Sequence, residues 1–163
     1  MLLNEINAPV LVIGYGNALR GDDGAGPAAA QALRDRLPAS LAEVLAVHQL
    51  LPELTEPLSR SKLAIFIDAD WKSAPGEVHQ KQVTAGPDEG KTIGHHQSPE
   101  NLLNMARDLY GHAPPAVLFQ VGAAEFGYQE GLSKPVRRAI PKVVREVVKT
   151  VKKVVQDPER PHA

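Results

Sequence analysis

Leu11-Val12-Ile13-Gly14-Tyr15-Gly16-Asn17-Ala18-Leu19-Arg20-Gly21-Asp22-Asp23-Gly24 joins an apolar strand to a glycine-rich turn that ends in two adjacent carboxylates. Ala8 to Tyr15 is apolar without alternation, which predicts a strand buried on both faces of a parallel sheet. A strand, a glycine turn and a helix also open nucleotide-binding units, where backbone N–H groups and the helix dipole receive phosphate. Asp22 and Asp23 would repel that phosphate. The segment reads Gly14-x-Gly16-x-x-Leu19 in place of three glycines and contains no Gly-Lys-Ser/Thr. A nucleotide-binding module is therefore the weaker reading, and the acids suit a metal cation.

Working outward, Ala28, Ala32, Leu33 and Leu37 recur at spacings of three and four, predicting a helix from Gly24 to about Pro38. Asp23 stands where it would cap that helix, and this alone could explain it. Glu43 to His48 reads as a second strand, Leu51 to Arg60 as a short helix, and Leu63 to Asp68 as a third, fully apolar strand closed by a carboxylate. Glu77 to Val83 alternates, the pattern of an edge strand that could run antiparallel. A polar loop from Thr84 to Ser98 carries His95 and His96, and such long connections tend to be functional. Ser98-Pro99-Glu100 opens a helix reaching Gly111, Ala116 to Val121 forms the last strand, and a helix runs from about Ser133 to Val155. Strands alternating with helices predict a doubly wound α/β sandwich.

The 163 residues, 43% of them apolar, suffice for one domain, residues 1–163, and no repeat or linker divides them. A net charge of −1 gives no pull toward nucleic acid, and no apolar run approaches a membrane span. The first residues lack a basic region followed by an apolar segment, so a cytoplasmic protein is expected. There is no cysteine, which excludes disulfides, thiolate metal sites and a cysteine nucleophile. From Lys134 to Arg160 basic residues outnumber acids nine to three, beside a valine stripe at helical spacing. A solvated face on a packed helix accounts for this; docking of an acidic partner is the sharper alternative.

Ligands of open α/β sheets collect at the carboxyl ends of the strands. Asp23, Asp68 and one of His95 or His96 fall there, and two carboxylates with an imidazole can hold a borderline divalent cation such as zinc or nickel. Asp68 is the hardest to explain otherwise, because a carboxylate closing a buried aliphatic run must be paired, capped or used. Either histidine taken alone suits an ordinary surface loop. His48, His79, His112 and His162 show no comparable partners.

These residues resemble the hydrogenase maturation proteases. The likeness rests on Gly14-Tyr15-Gly16-Asn17 with Asp22-Asp23-Gly24-Ala25-Gly26, on Ile67-Asp68-Ala69, on His95-His96 before Leu102-Leu103, and on Val121-Gly122 with Gly131-Leu132-Ser133-Lys134-Pro135-Val136. The resemblance implies a three-layer α/β sandwich with a mostly parallel, twisted central sheet. It also implies an endopeptidase that removes the C-terminal peptide of a nickel-loaded nickel–iron hydrogenase large-subunit precursor. Its site residues carry over as Asp23, Asp68 and His95, with His96 as the alternate ligand and nickel supplied by the substrate's own centre. The family often has glutamate where Asp23 stands. Asp22 and Glu125 are candidates for a base or a supporting partner only. A nickel-sensing assembly factor that binds the precursor without cutting it is the rival reading.

Overall fold

The computed structural model describes residues 8–86 and 97–156. Strands β1 (Val10–Tyr15), β2 (Ala42–Val47), β3 (Leu63–Asp70), β4 (Val78–Val83) and β5 (Ala116–Gly122) form one sheet in the order β2-β1-β3-β5-β4. All pairings are parallel except β4 with β5. The alternating segment is thus an antiparallel edge strand, as its pattern predicts.

Side chains of the central strands divide by parity. Val10, Val12, Ile65 and Ile67 enter one core with α1 (Ala25–Arg34) and α4 (Lys134–Gln156). Leu11, Ile13, Ala64 and Phe66 enter the other with α2 (Thr55–Ser59) and α3 (Pro99–Tyr110). Strands buried on both faces need no polar side, which is why β1 and β3 read as unbroken apolar runs. The result is a three-layer α/β sandwich. Among the described residues no helix is long and apolar enough to cross a membrane.

Local signals set several boundaries. Ser98 caps α3 by accepting from Asn101 N–H at 3.1 Å, and Gly111 closes it in the left-handed conformation. Helix α4 buries Val143, Val144, Val147, Val148, Val151 and Val154, and leaves its basic residues outside. Helix α1 departs from expectation. It begins at Ala25 after a 3-10 turn at Gly21–Gly24 and ends at Arg34; Leu33 and Leu37 of the predicted stripe are buried, Ala29 and Ala30 join them, and Ala28 and Ala32 are only partly buried. Gly26 lets it settle directly on the sheet, because a Cβ there would lie 2.4 Å from Ile67 O and 2.6 Å from Tyr15 O.

The chain leaves β1 through α1 to reach β2 on one side, and β3 lies on the other. This reversal opens a crevice beyond the carboxyl ends of β1 and β3.

Candidate active site

A cleft of about 960 Å³ occupies that crevice. The turn after β1 contributes Gly16, Asn17, Arg20 and Asp23; β3 contributes Asp68, and the start of α3 contributes Ser98 and Glu100. The fold thus brings Asp23 and Asp68, distant in sequence, to one opening. His95 and His96, the third ligand and its alternate, lie outside the described residues.

Asp23 does not cap α1; that place belongs to Gly24, which makes no side-chain cap. Its carboxylate instead reaches back, and Oδ2 accepts from the Asn17 N–H at 2.6 Å. The turn that allows this depends on Gly16, whose φ is +144° and whose Cβ would lie 1.9 Å from Asp23 O. Among the described residues Oδ1 of Asp23 accepts no hydrogen bond. The glycines therefore serve to aim a carboxylate.

Asp68 lies inside β3, opposite Gln120 and two residues short of the strand end, because pairing with β5 continues to Asp70 and Gly122. Its Oδ1 accepts from Ala69 N–H at 2.8 Å, and the Tyr15 phenol donates a hydrogen bond to the same carboxylate. Burial is the largest effect on the Asp68 carboxyl and raises it, the two hydrogen bonds lower it, the negative charges of Asp23 and Asp70 raise it, and together they leave it pushed up to about 7. Burial and then Asp68 likewise push the Tyr15 phenol above its ordinary value. Tyr15 packs edge-on against Phe66, with ring centroids 6.5 Å apart. Tyr15 was hidden in the sequence as the last residue of an apolar run. The available signal was its hydroxyl, since a tyrosine at a buried strand end usually finds a hydrogen-bond partner.

Each acid is thus fixed by a backbone N–H through one oxygen, and among the described residues the charges that act on Asp68 are negative. Carboxylate oxygens are a donor type that divalent cations take. Among the described residues no group of three potential ligands is assembled.

Asp22, the other acid of the pair, faces away from this task. It is the one fully buried charged side chain among the described residues. Oδ2 accepts from Ala124 N–H at 2.8 Å, Glu125 N–H at 2.9 Å and Ser133 Oγ at 2.8 Å, while Oδ1 accepts from Ser133 N–H at 2.7 Å. Burial alone would raise its carboxyl, but these hydrogen bonds together hold it below the usual range. Asp22 therefore ties the turn after β1 to the loop after β5. The Glu125 side chain is exposed and accepts from Gln129, so its main link to the site is through backbone bonds with Asp22. His48 is exposed at the rim of the cleft, His79 pairs with Glu77 at 2.9 Å and His112 bonds Ser61 O at 3.3 Å. His162 lies outside the described residues.

A single α/β sandwich with paired carboxylates at its topological switch point defines the architecture. No family model matches the chain, and no curated protein matches it. Solved structures do. The hydrogenase maturating endopeptidase HybD from E. coli aligns with a TM-score of 0.72 at 23% identity, over 88% of this chain and 92% of that one. The hydrogenase 2 maturation peptidase from Thaumarchaeota archaeon SCGC_AB-539-E09 gives 0.64 at 25% identity, over 87% and 97%. The [NiFe] hydrogenase maturation protease HycI from Thermococcus kodakarensis gives 0.67 at 20% identity, over 89% and 93%. The chain has the fold of the [NiFe] hydrogenase maturation proteases.

Proposed function

We propose that this protein is an endopeptidase of hydrogenase maturation that cuts the C-terminal peptide from a nickel-loaded large-subunit precursor. The observation that carries this reading is the convergence of Asp23 and Asp68, each anchored through one oxygen, in a cleft of a fold shared with hydrogenase maturation endopeptidases. Nickel enters as part of the substrate. Asp23, Asp68 and a histidine, His95 or His96, supply its recognition set. A divalent cation so held polarises a carbonyl or acidifies a water, and a chain without cysteine needs no thiolate for that chemistry. Asp68 contributes a carboxylate that Tyr15 and the Ala69 N–H hold in place.

The direct test follows processing of the precursor by gel shift with the unsubstituted protein and with His95→Ala and His96→Ala. Loss in the first alone supports His95, and loss in the second alone transfers the role to His96. Full processing by both, or none by the unsubstituted protein, contradicts the reading. A precursor that binds but is never cut favours a nickel-sensing assembly factor.

A second expectation concerns pH. Asp68 holds its proton up to about pH 7, so a cation must displace it, and the ligating histidine must also be neutral. Affinity for Ni²⁺, read by calorimetry on the full chain, is expected to fall by roughly tenfold or more per pH unit below 7. An affinity unchanged between pH 8 and pH 5 would exclude Asp68 as a ligand.

A further inference from the structure

We propose that four exposed apolar side chains, Leu19, Leu51, Trp71 and Tyr128, form a docking collar around the cleft for a folded protein whose extended terminal segment enters it. This rests on the peptidase reading above and adds that the substrate is held by its body as well as by the segment that is cut.

Single exposed apolar residues are ordinary on a protein surface. These four are distributed in an unusual way. Each parallel strand bordering the crevice, β1, β2, β3 and β5, is followed by a loop that carries one of them, at 60%, 48%, 72% and 90% exposure respectively. Leu51 and Trp71 line the cleft itself, as does Arg20, which follows Leu19 and lies 5.5 Å from the Tyr128 ring centroid.

The loops that carry these side chains are tied by hydrogen bonds. Leu19 N–H donates to Asn17 Oδ1 at 2.9 Å. The Asp70 carboxylate gathers Lys72 N–H and Ser73 Oγ around Trp71. Leu51 O accepts from Leu54 N–H, and the loop of Tyr128 is tied to the β1 turn by Gly21 N–H donating to Gln129 O at 2.9 Å. Flexible loops could fold such side chains inward to escape water. Turns closed by hydrogen bonds hold the loop backbones in place, which lowers the ordering cost of binding a partner. The occupant that fits is therefore an apolar protein surface surrounding the peptide that fills the cleft, because the collar and the cleft share Leu51 and Trp71.

The test compares Trp71→Ser/Tyr128→Ser with Leu109→Ser/Tyr110→Ser, a control pair of exposed apolar residues at the end of α3. Both are assayed on the nickel-loaded precursor for KM and, by calorimetry, for Kd. The collar pair is expected to raise either constant at least about tenfold, and the control pair to leave both within about twofold. Cleavage with an unchanged KM overturns the collar and leaves the peptidase reading standing. Binding without cleavage, weakened tenfold by the collar pair, supports the collar while the peptidase reading falls. An equal loss in the control pair overturns the collar, and a precursor neither bound nor cut overturns both.

Discussion

Asp68→Asn is expected to abolish processing of the precursor while making the protein more stable at pH 8. Loss of a group that merely supports a metal ligand commonly costs about 10–100-fold, so loss of the ligand itself should exceed about 100-fold. Stability should move the other way. The Asp68 carboxyl is held at about 7 in the fold, against about 3.9 in an unfolded chain. The folded state thus binds the proton more tightly. That contribution is complete below the unfolded value and is lost as pH rises through 7. Asparagine keeps an acceptor for the Ala69 N–H and carries no charge, so it avoids the loss. The thermal midpoint of the metal-free variant should exceed that of the unsubstituted protein at pH 8, and the gap should close by pH 4. Retained processing, or a lowered midpoint at pH 8, would contradict this account of the residue.

Asp22→Ala should produce the largest change in stability. The substitution removes the acceptor of three backbone N–H groups and one hydroxyl at a position with no solvent exposure. Each of these four part-buried hydrogen bonds contributes about 0.5–1.5 kcal/mol, so a total of about 2–6 kcal/mol is expected. Against a typical stability of about 5–15 kcal/mol that is a large share. For a chain of this size the thermal midpoint should fall by about 10 °C or more. The pH dependence has the opposite sign to that of Asp68. With its carboxyl held below the ordinary range, Asp22 stabilises the fold above the unfolded pKa of about 3.9, and this is lost as pH falls through the lower folded value. A midpoint within about 2 °C of the unsubstituted protein at pH 7, by calorimetry, would show that the two loops do not depend on it.

The contrast between these neighbours shows what the sequence made legible. Their charge and their place after a glycine turn were visible, and so was the mismatch with phosphate. Their division of labour was not. Asp22 meets Ala124, Glu125 and Ser133, more than a hundred residues away, and no local pattern encodes such a partner. Asp23 read equally well as a helix cap, because Asp is favoured there. The close approach of Gly16 to Asp23 decided otherwise by turning the carboxylate back onto Asn17.

Elements defined by short-range rules were read closely. The Ser98 cap and Gly111 terminator of α3 are local chemistry, whereas the alternation of β4 marked the edge strand but not its burial, since its four middle residues are exposed and only Val78 and Val83 at its ends are covered, one on each face. The register of β3 against β5 was not legible. It extends the strand to Asp70 and places Asp68 within it, so the carboxylate is held by sheet pairing as well as by its own hydrogen bonds.

The most direct measurement is the intact mass of a hydrogenase large-subunit precursor after incubation with this protein, with nickel loaded and with nickel withheld. One new species is expected in the nickel-loaded sample, shorter by a single C-terminal peptide, with that peptide recovered and the nickel-free precursor unchanged. An unchanged mass in the nickel-loaded sample, or equal cleavage without nickel, would contradict that expectation.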